Sequence, residues 1–170
     1  MTLFPRLFCC GKNSFNREDE KEAYMRAVVQ RVSEASVSID GEVVAEIGRG
    51  MLVLLAAANG DGLEQVRWMA EKLIGLRIFP DDAGKMNLSL EQVGGEMLVV
   101  SQFTLYGDCR KGKRPSYTAS APPDEAVTVY QSFIDAVAKL KIPVREGVFG
   151  AMMQVHLVND GPVTLIVDSP

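Results

Sequence analysis

Two short polar interruptions in apolar sequence carry residue types that chemistry needs. The first is Ser101-Gln102-Phe103-Thr104-Leu105, where two hydroxyls and a carboxamide end an apolar run just before Gly107. Strand ends that open into loops are where binding and catalytic groups are mounted, and a serine or threonine hydroxyl there is a candidate nucleophile. The second is Asn159-Asp160-Gly161-Pro162-Val163-Thr164, joining the last two apolar stretches. Both have ordinary structural explanations, which outweigh the functional ones on spacing alone. Hydroxyls satisfy backbone groups at sheet edges, and Asn-Asp-Gly-Pro is hairpin-turn chemistry. The third feature is a basic cluster, Arg110, Lys111, Lys113 and Arg114, with Tyr117 nearby. In a chain of net charge −4 such a cluster is a candidate phosphate seat, a merely solvated loop being at least as good an account.

Single residues carry less. His156, the only histidine, lies in an apolar strand and reads as a core histidine with a satisfied hydrogen bond. A Ser–His–Asp hydrolase would have to use it, with Ser101 or Thr104. Cys109 is a possible thiol nucleophile without a second positive signal. Trp68 sits at helical spacing and reads as packing or interface. One histidine and three cysteines with no Cys-x-x-Cys leave too few ligands for structural zinc. There is no Gly-x-Gly-x-x-Gly opening a helix and no Walker loop, so no cofactor is expected.

The elements that must position these groups follow from periodicity. At 170 residues, 47% apolar and 24% charged, the chain suits one soluble domain. No apolar run reaches the ~18 to 20 residues that span a bilayer. Cysteine usage points to a reducing cytoplasm. Residues 1–24 match neither helical nor strand periodicity and read as an extension, disordered or a non-native start. A metal or lipid site at Cys9-Cys10 is the alternative. Residues 25–170 form the domain. Ala27-Val28-Val29 and Val37-Ser38-Ile39 are strand sequence, Asp40-Gly41 signals a hairpin, and Glu42 to Ile47 follows. Met51 to Ala58 reads as a strand buried on both faces. Leu63 to Ile78 predicts an amphipathic helix with a capping box at Asp61 and Glu64. Its buried stripe would be Leu63, Val66, Ala70, Leu73 and Arg77. Glu96 to Leu105 is a second apolar strand. A second helix starts at Pro123 and stops before Pro143, burying Ala126, Val129 or Tyr130, Phe133, Val137 and Leu140. Strands near Val144 to Glu146, Met152 to Val158 and Val163 to Val167 close the chain. Strands, helix, strand, helix, strands predict a mixed or antiparallel α/β fold with helices on one side, not a doubly wound parallel sheet.

Taken together in order and at this separation, the segments 101–105 and 159–164 resemble the two signature motifs of the bacterial and eukaryotic D-aminoacyl-tRNA deacylases. The similarity extends to Met25-Arg26-Ala27-Val28-Val29-Gln30-Arg31-Val32, to Arg77-Ile78-Phe79-Pro80 and to Gly84-Lys85-Met86-Asn87-Leu88-Ser89. It covers essentially all of residues 25–170. The resemblance implies a three-layer α/β/β fold with two main helices, a homodimer, and two active sites at the subunit interface. It implies a cis Gly161–Pro162 unit reaching into the partner's pocket, which Ser101 to Leu105 line from the other chain. It further implies that Arg31 holds the Gly–Pro loop and that Met86 lies in the segment closing the pocket. Ser101, Gly161, Pro162, Arg31 and Met86 are thus the expected substrate-binding residues. Thr104, Gln102 and Phe103 are the expected catalytic ones.

The implied reaction is hydrolysis of the ester joining a D-amino acid to tRNA. Carbonyls of the Gly–Pro unit would accept from the substrate α-ammonium and leave no room for an L side chain. Glycine has no side chain to exclude, so glycyl-tRNA, including glycine mischarged on alanine tRNA, is expected to be cleaved too. No carboxylate pair stands out and Thr104 lacks an evident base. Water attack assisted by the substrate 2′-hydroxyl is therefore expected, with backbone N–H groups near Gln102 and Phe103 stabilising the oxyanion. Two other readings stand beside this one: an esterase using His156, and a non-catalytic RNA-binding module using the basic loop.

Overall fold

The computed structural model of the protein describes residues 24–170. The reading of residues 1–24 as an extension therefore lies, apart from Tyr24, outside the described residues. The fold is built on strand β1 (Arg26–Ile39), which turns through Asp40 and Gly41 into β2 (Glu42–Ile47) and then β3 (Gly50–Ala56). Asp40 and Gly41 have φ of 51° and 86°, the left-handed pair that a two-residue hairpin needs. Both β2 and β3 lie antiparallel along the same side of β1, with Ala35 opposite Ile47 and Val32 opposite Gly50. At Gly50 the chain passes close against β6 (Glu96–Ser101). A Cβ there would stand 1.9 Å from the Glu96 carbonyl oxygen.

Parallel pairing of β3 with β6, and of β6 with β7 (Val144–Glu146), needs crossovers. Helices α1 (Leu63–Gly75) and α2 (Pro123–Lys139) supply them. Strand β8 (Gln154–Asp168) then pairs antiparallel with β1 along nearly its whole length. A short hairpin, β4 (Phe79–Pro80) and β5 (Met86–Leu88), stands apart. The sheet is mixed and there are two main helices, as the order of elements predicts.

Alternation along β3 and β6 explains the layering. Met51, Val53, Leu55, Met97 and Val99 face α1 and α2, completed by Leu73 and Phe133. Leu52, Leu98 and Val100 face the other way, onto Val32, Ala35, Val37, Ala45 and Ile47. That second core lies between the central strands and the folded-over half of β1 with β2, which makes the third layer. Ala27 and Val29 face the helices but Ala35 and Val37 face the second core. Side-chain direction alternates along a strand, so β1 slips by one position near Ser33–Glu34, where its register with β8 also shifts.

Several boundaries differ from expectation. Helix α1 ends at Gly75 rather than Ile78, because Leu76 is already extended and Arg77 is drawn to the Asn87 carbonyl at 2.6 Å. Its buried residues are Val66, Met69, Ala70, Leu73 and Ile74, while Leu63 is exposed. The cap is Gly62, whose N–H donates to Gln65 Oε1 at 3.1 Å. Asp61 instead accepts from the Ala58 N–H at 2.6 Å. Helix α2 buries Ile134 as well as Val129, Tyr130, Phe133 and Val137, and Leu140 is its exposed C-cap. The apolar run from Glu96 stops being strand at Ser101, and Phe103–Tyr106 form one turn of 3-10 helix. The two closing strands are a single strand, β8.

Candidate functional site

The turn that carries Thr104 begins where β3 runs out. Ser101 is the last β6 residue paired with β3, and the Gln102 N–H donates to the Leu55 carbonyl at 2.7 Å. Beyond that bond the chain curls into the 3-10 turn. The Gln102 side chain donates from Nε2 to Thr104 Oγ1, so that hydroxyl is held by an amide. The first N–H groups of a helical turn have no partner within it. Among the described residues no acceptor faces those of Phe103 and Thr104. They, rather than the committed Gln102 N–H, are free to meet a developing negative charge.

The far end of this turn is braced. Arg26 makes a two-pronged ion pair with Asp168, at 2.7 and 2.8 Å, and its Nη1 reaches the Leu105 carbonyl at 3.5 Å. The Tyr106 hydroxyl donates to the Tyr24 carbonyl. Burial, with the nearby Asp61 carboxylate adding to it, pushes the Tyr106 phenol well above its ordinary range. Burial likewise raises the Asp61 carboxyl. Tyr106 thus stays protonated and keeps donating.

Beside Ser101, Gln102 and Phe103 lies a cavity of about 670 Å³ walled mainly by apolar side chains. Tyr130 and Phe149 line it, their ring centroids 5.9 Å apart, and the Tyr130 hydroxyl is tied to the Val99 carbonyl at 2.9 Å. Phe103 and Tyr117 also line it, as an edge-to-face pair 5.2 Å apart. No carboxylate, imidazole, amine or thiol is among the lining residues. Phe149 is a site residue that sequence reasoning missed. Its signal is an aromatic residue set between Gly147 and Gly150 in the loop before β8.

The 159–164 segment is not a hairpin. Gln30 pairs with Thr164 and Val32 with Asn159, so residues 160–163 bulge out of β8 opposite the single residue Arg31. The bulge contains a cis Gly161–Pro162 bond, and both residues are exposed. Arg31, itself buried, grips it. Nε donates to the Asp160 carbonyl at 2.9 Å and lies 3.1 Å from the Asp160 carboxylate. Nη1 donates to the Ile78 carbonyl at 2.5 Å. The Asn159 carboxamide closes the base, accepting from the Val163 N–H at 2.8 Å and donating to Thr164 at 3.0 Å. Only glycine fits at 161: φ is +134°, and a Cβ would lie 2.6 Å from Arg31 Nη2.

Through Ile78, Arg31 also joins the bulge to the β4–β5 hairpin, which carries Met86 with its side chain largely exposed. Asp81 organises that hairpin, accepting from the Ala83 and Lys85 N–H groups and from the Asn87 amide. The Asn87 hydrogen bond is the main reason its carboxyl is held below the usual range.

The expected site residues therefore fall into groups. Ser101, Gln102 and Phe103 line the apolar cavity, and Thr104 follows on the exposed face of the 3-10 turn, outside that lining. Arg31, Gly161 and Pro162 form a separate cluster, with the Met86 hairpin attached, and neither Gly161 nor Pro162 lines that cavity. Arg110, Lys111, Lys113 and Arg114 stand exposed on a loop. Arg110 is committed to Asp108, at 2.6 Å, and that hydrogen-bonded pairing holds the Asp108 carboxyl far below its usual range. His156 is not a core histidine. It is exposed on β8, opposite Ser36, in a different groove from Ser101. Alternation places it on the outer face of a strand whose inner residues, Val155 and Leu157, pack on the second core. Cys109 is exposed and is the free cysteine among the described residues. Trp68 is partly buried against the main core. No helix of the described residues is long and apolar enough to cross a membrane.

A family model described as D-Tyr-tRNA(Tyr) deacylase matches residues 28–168. The D-aminoacyl-tRNA deacylase of Syntrophobacter fumaroxidans is 57% identical over 145 residues, which cover 85% of this chain and 97% of that protein. That of Desulfatibacillum aliphaticivorans is 60% identical over 145 residues, with coverage of 85% and 99%. Among solved structures, one described as a c-Myc DNA unwinding element binding protein superposes with a TM-score of 0.80 at 41% identity, covering 85% of this chain and 99% of that one. A probable eukaryotic D-amino acid tRNA deacylase shares the fold, with a TM-score of 0.71 at 20% identity and coverage of 85% and 98%.

Proposed function

The chain belongs to the D-Tyr-tRNA(Tyr) deacylase family and is a D-aminoacyl-tRNA deacylase; from that premise we propose that it proofreads handedness in the cytoplasm, as a homodimer, with substrate-assisted chemistry. The observation that carries the chemistry is an apolar cavity whose lining, among the described residues, holds no carboxylate, imidazole, amine or thiol, beside a turn with two uncommitted backbone N–H groups. With no carboxylate, imidazole, amine or thiol in that lining, the substrate's own hydroxyl is the group best placed to carry the proton.

In this reading the terminal adenosine of tRNA occupies the cavity, its base against Tyr130 and Phe149. The ester carbonyl meets the N–H groups of Phe103 and Thr104, which stabilise the oxyanion. Water adds to the carbonyl carbon, giving up its proton by way of the vicinal 2′-hydroxyl. The bond from carbon to the 3′ oxygen then breaks, and that oxygen leaves with a proton. Free amino acid and tRNA are the products. Holding water, hydroxyl and ester in line can supply ~7 kcal/mol or more of the barrier reduction. Thr104, its hydroxyl held by the Gln102 amide, positions the substrate.

Selection for handedness belongs to the bulge. Gly161 and Pro162 are exposed and stand clear of their own protomer's cavity, which supports their insertion into the cavity of a second copy. There the backbone carbonyls accept from the α-ammonium and occupy the space of an L side chain. A D side chain points away, and glycine has nothing to exclude. The test is a side-by-side assay of D-, L- and glycyl-tRNA with the purified protein. Release of D-amino acids and glycine with L-aminoacyl-tRNA intact is expected. Cleavage of the L substrate at a comparable rate refutes rejection by backbone, and undetectable glycine release refutes the open pocket.

A further inference from the structure

We infer that the rim beside the cavity is a track for the unpaired 3′ end of tRNA. In it the Phe103–Tyr117 ring pair stacks the base preceding the terminal adenosine, and Lys111, Lys113 and Arg114 take phosphates upstream. This rests on the deacylase reading above and extends it to nucleotides outside the cavity. Phe103 and Tyr117 remain 54% and 37% exposed at the cavity wall, although rings of that size usually gain by full burial. Sequence-tolerant binding of single strands is built from such parts, aromatic faces for bases and a cationic path for the backbone.

The rings are held on a fixed base. Tyr117 packs on Gly107, where a Cβ would come within 3.1 Å of the ring. Just beyond it, the Asn59 N–H and Ala121 N–H join the segment 119–121 to the end of β3, at 3.4 and 3.0 Å. Asp108 and Ser116 exchange hydrogen bonds of 2.8 and 3.0 Å, closing the loop at its neck. Only the stretch between them, residues 109–115, is left to carry charge. Arg110 is spent on Asp108. Lys111, Lys113 and Arg114 form no salt bridge among the described residues, so an acidic chain carries three cations free of ion pairs on the loop that leads into Tyr117, a residue of the cavity wall.

The experiment compares D-tyrosyl-tRNA with D-tyrosyl-adenosine, which carries the same ester without the upstream nucleotides. For Tyr117→Ala, and for a triple variant of Lys111, Lys113 and Arg114 to Ala, the ratio of kcat/KM on tRNA to kcat/KM on the small ester is expected to fall ~10-fold, the scale of one lost stack. Tyr117→Phe keeps the ring and is expected to restore the ratio. The triple variant also flattens the dependence of log KM on log salt by about 2, roughly 0.7 per single-strand phosphate released, which Tyr117→Ala does not. A ratio unchanged in both variants overturns the track. So does a loss shared equally by both substrates, which would make Tyr117 a wall of the cavity and nothing more. If the unaltered protein cleaves neither ester, the deacylase reading has failed. The track then stands or falls on whether uncharged tRNA binds the triple variant more weakly, with the flatter salt slope.

Discussion

Thr104 Oγ1 accepts a hydrogen bond from the Gln102 amide, and among the described residues no hydrogen bond links it to a carboxylate, imidazole or amine. A nucleophilic hydroxyl needs a base that can take its proton, so Thr104→Ala is expected to keep deacylation within about tenfold of the unaltered rate. Total loss in a variant with an unchanged melting temperature would reinstate covalent catalysis. His156→Ala, on an outward face of β8, is expected to leave kcat/KM alone, whereas the esterase reading requires its abolition. Gly161 is the opposite case. An alanine there must take a φ of +134° and place a methyl group 2.6 Å from the Arg31 guanidinium. The methyl displaces either the bulge or its clamp, and a misplacement of about 1 Å in a positioned site can cost ~10²-fold. Gly161→Ala is expected to lose at least that much in kcat/KM on D-aminoacyl-tRNA. Because the bulge is exposed, the melting temperature should move by only a few degrees.

At the scale of elements, the site depends on where β3 and β6 stop. Their shared end sets the position of the 3-10 turn through the bond from Gln102 to Leu55, and their shared start is the contact of Gly50 with Glu96. A methyl group at Gly50 would overlap backbone rather than a movable side chain. Gly50→Ala is expected to destabilise by about 3 kcal/mol or more, at or beyond the usual range for overpacking, read as a fall in urea midpoint at an unchanged slope. A variant as stable as the parent would show that the two strands can part without cost. Arg31 works at the same scale from the opposite side, tying β1, the β8 bulge and the Met86 hairpin together through Asp160 and Ile78.

For the molecule as a whole, the separation of the cavity from the bulge is the main fact. The chain holds the cavity and its N–H groups in one place and the Gly161–Pro162 bulge in another. Among the described residues strand β8 pairs with β1 alone, and it carries the exposed apolar residues Val158 and Ile166 on either side of the bulge. A long strand with a free edge and exposed apolar groups is normally covered. The protein is expected to sediment as a dimer. Ile166→Arg should yield a folded monomer that no longer deacylates D-aminoacyl-tRNA, and a fully active monomer would sink the shared site.

Local pattern alone determined a good deal of this protein. The hairpin at Asp40-Gly41, the doubly buried β3, the start of α2 at Pro123 and the strand at Val144 to Glu146 depend on neighbouring residues and on alternation, which a linear string records. The segments 101–105 and 159–164 were legible as candidates and, through family resemblance, as a pair. Tertiary structure decided the rest, because the deciding partners are far apart in the chain. The apolar run from Glu96 ends at Ser101 only because Leu55 takes the Gln102 N–H. The Asn-Asp-Gly-Pro turn is a bulge only because Arg31 stands opposite it. His156 faces outward because of β8's pleat, which its apolar neighbours conceal. Hydrogen bonds across 47 to 129 residues of sequence leave no periodic trace, and they are what set the site's geometry.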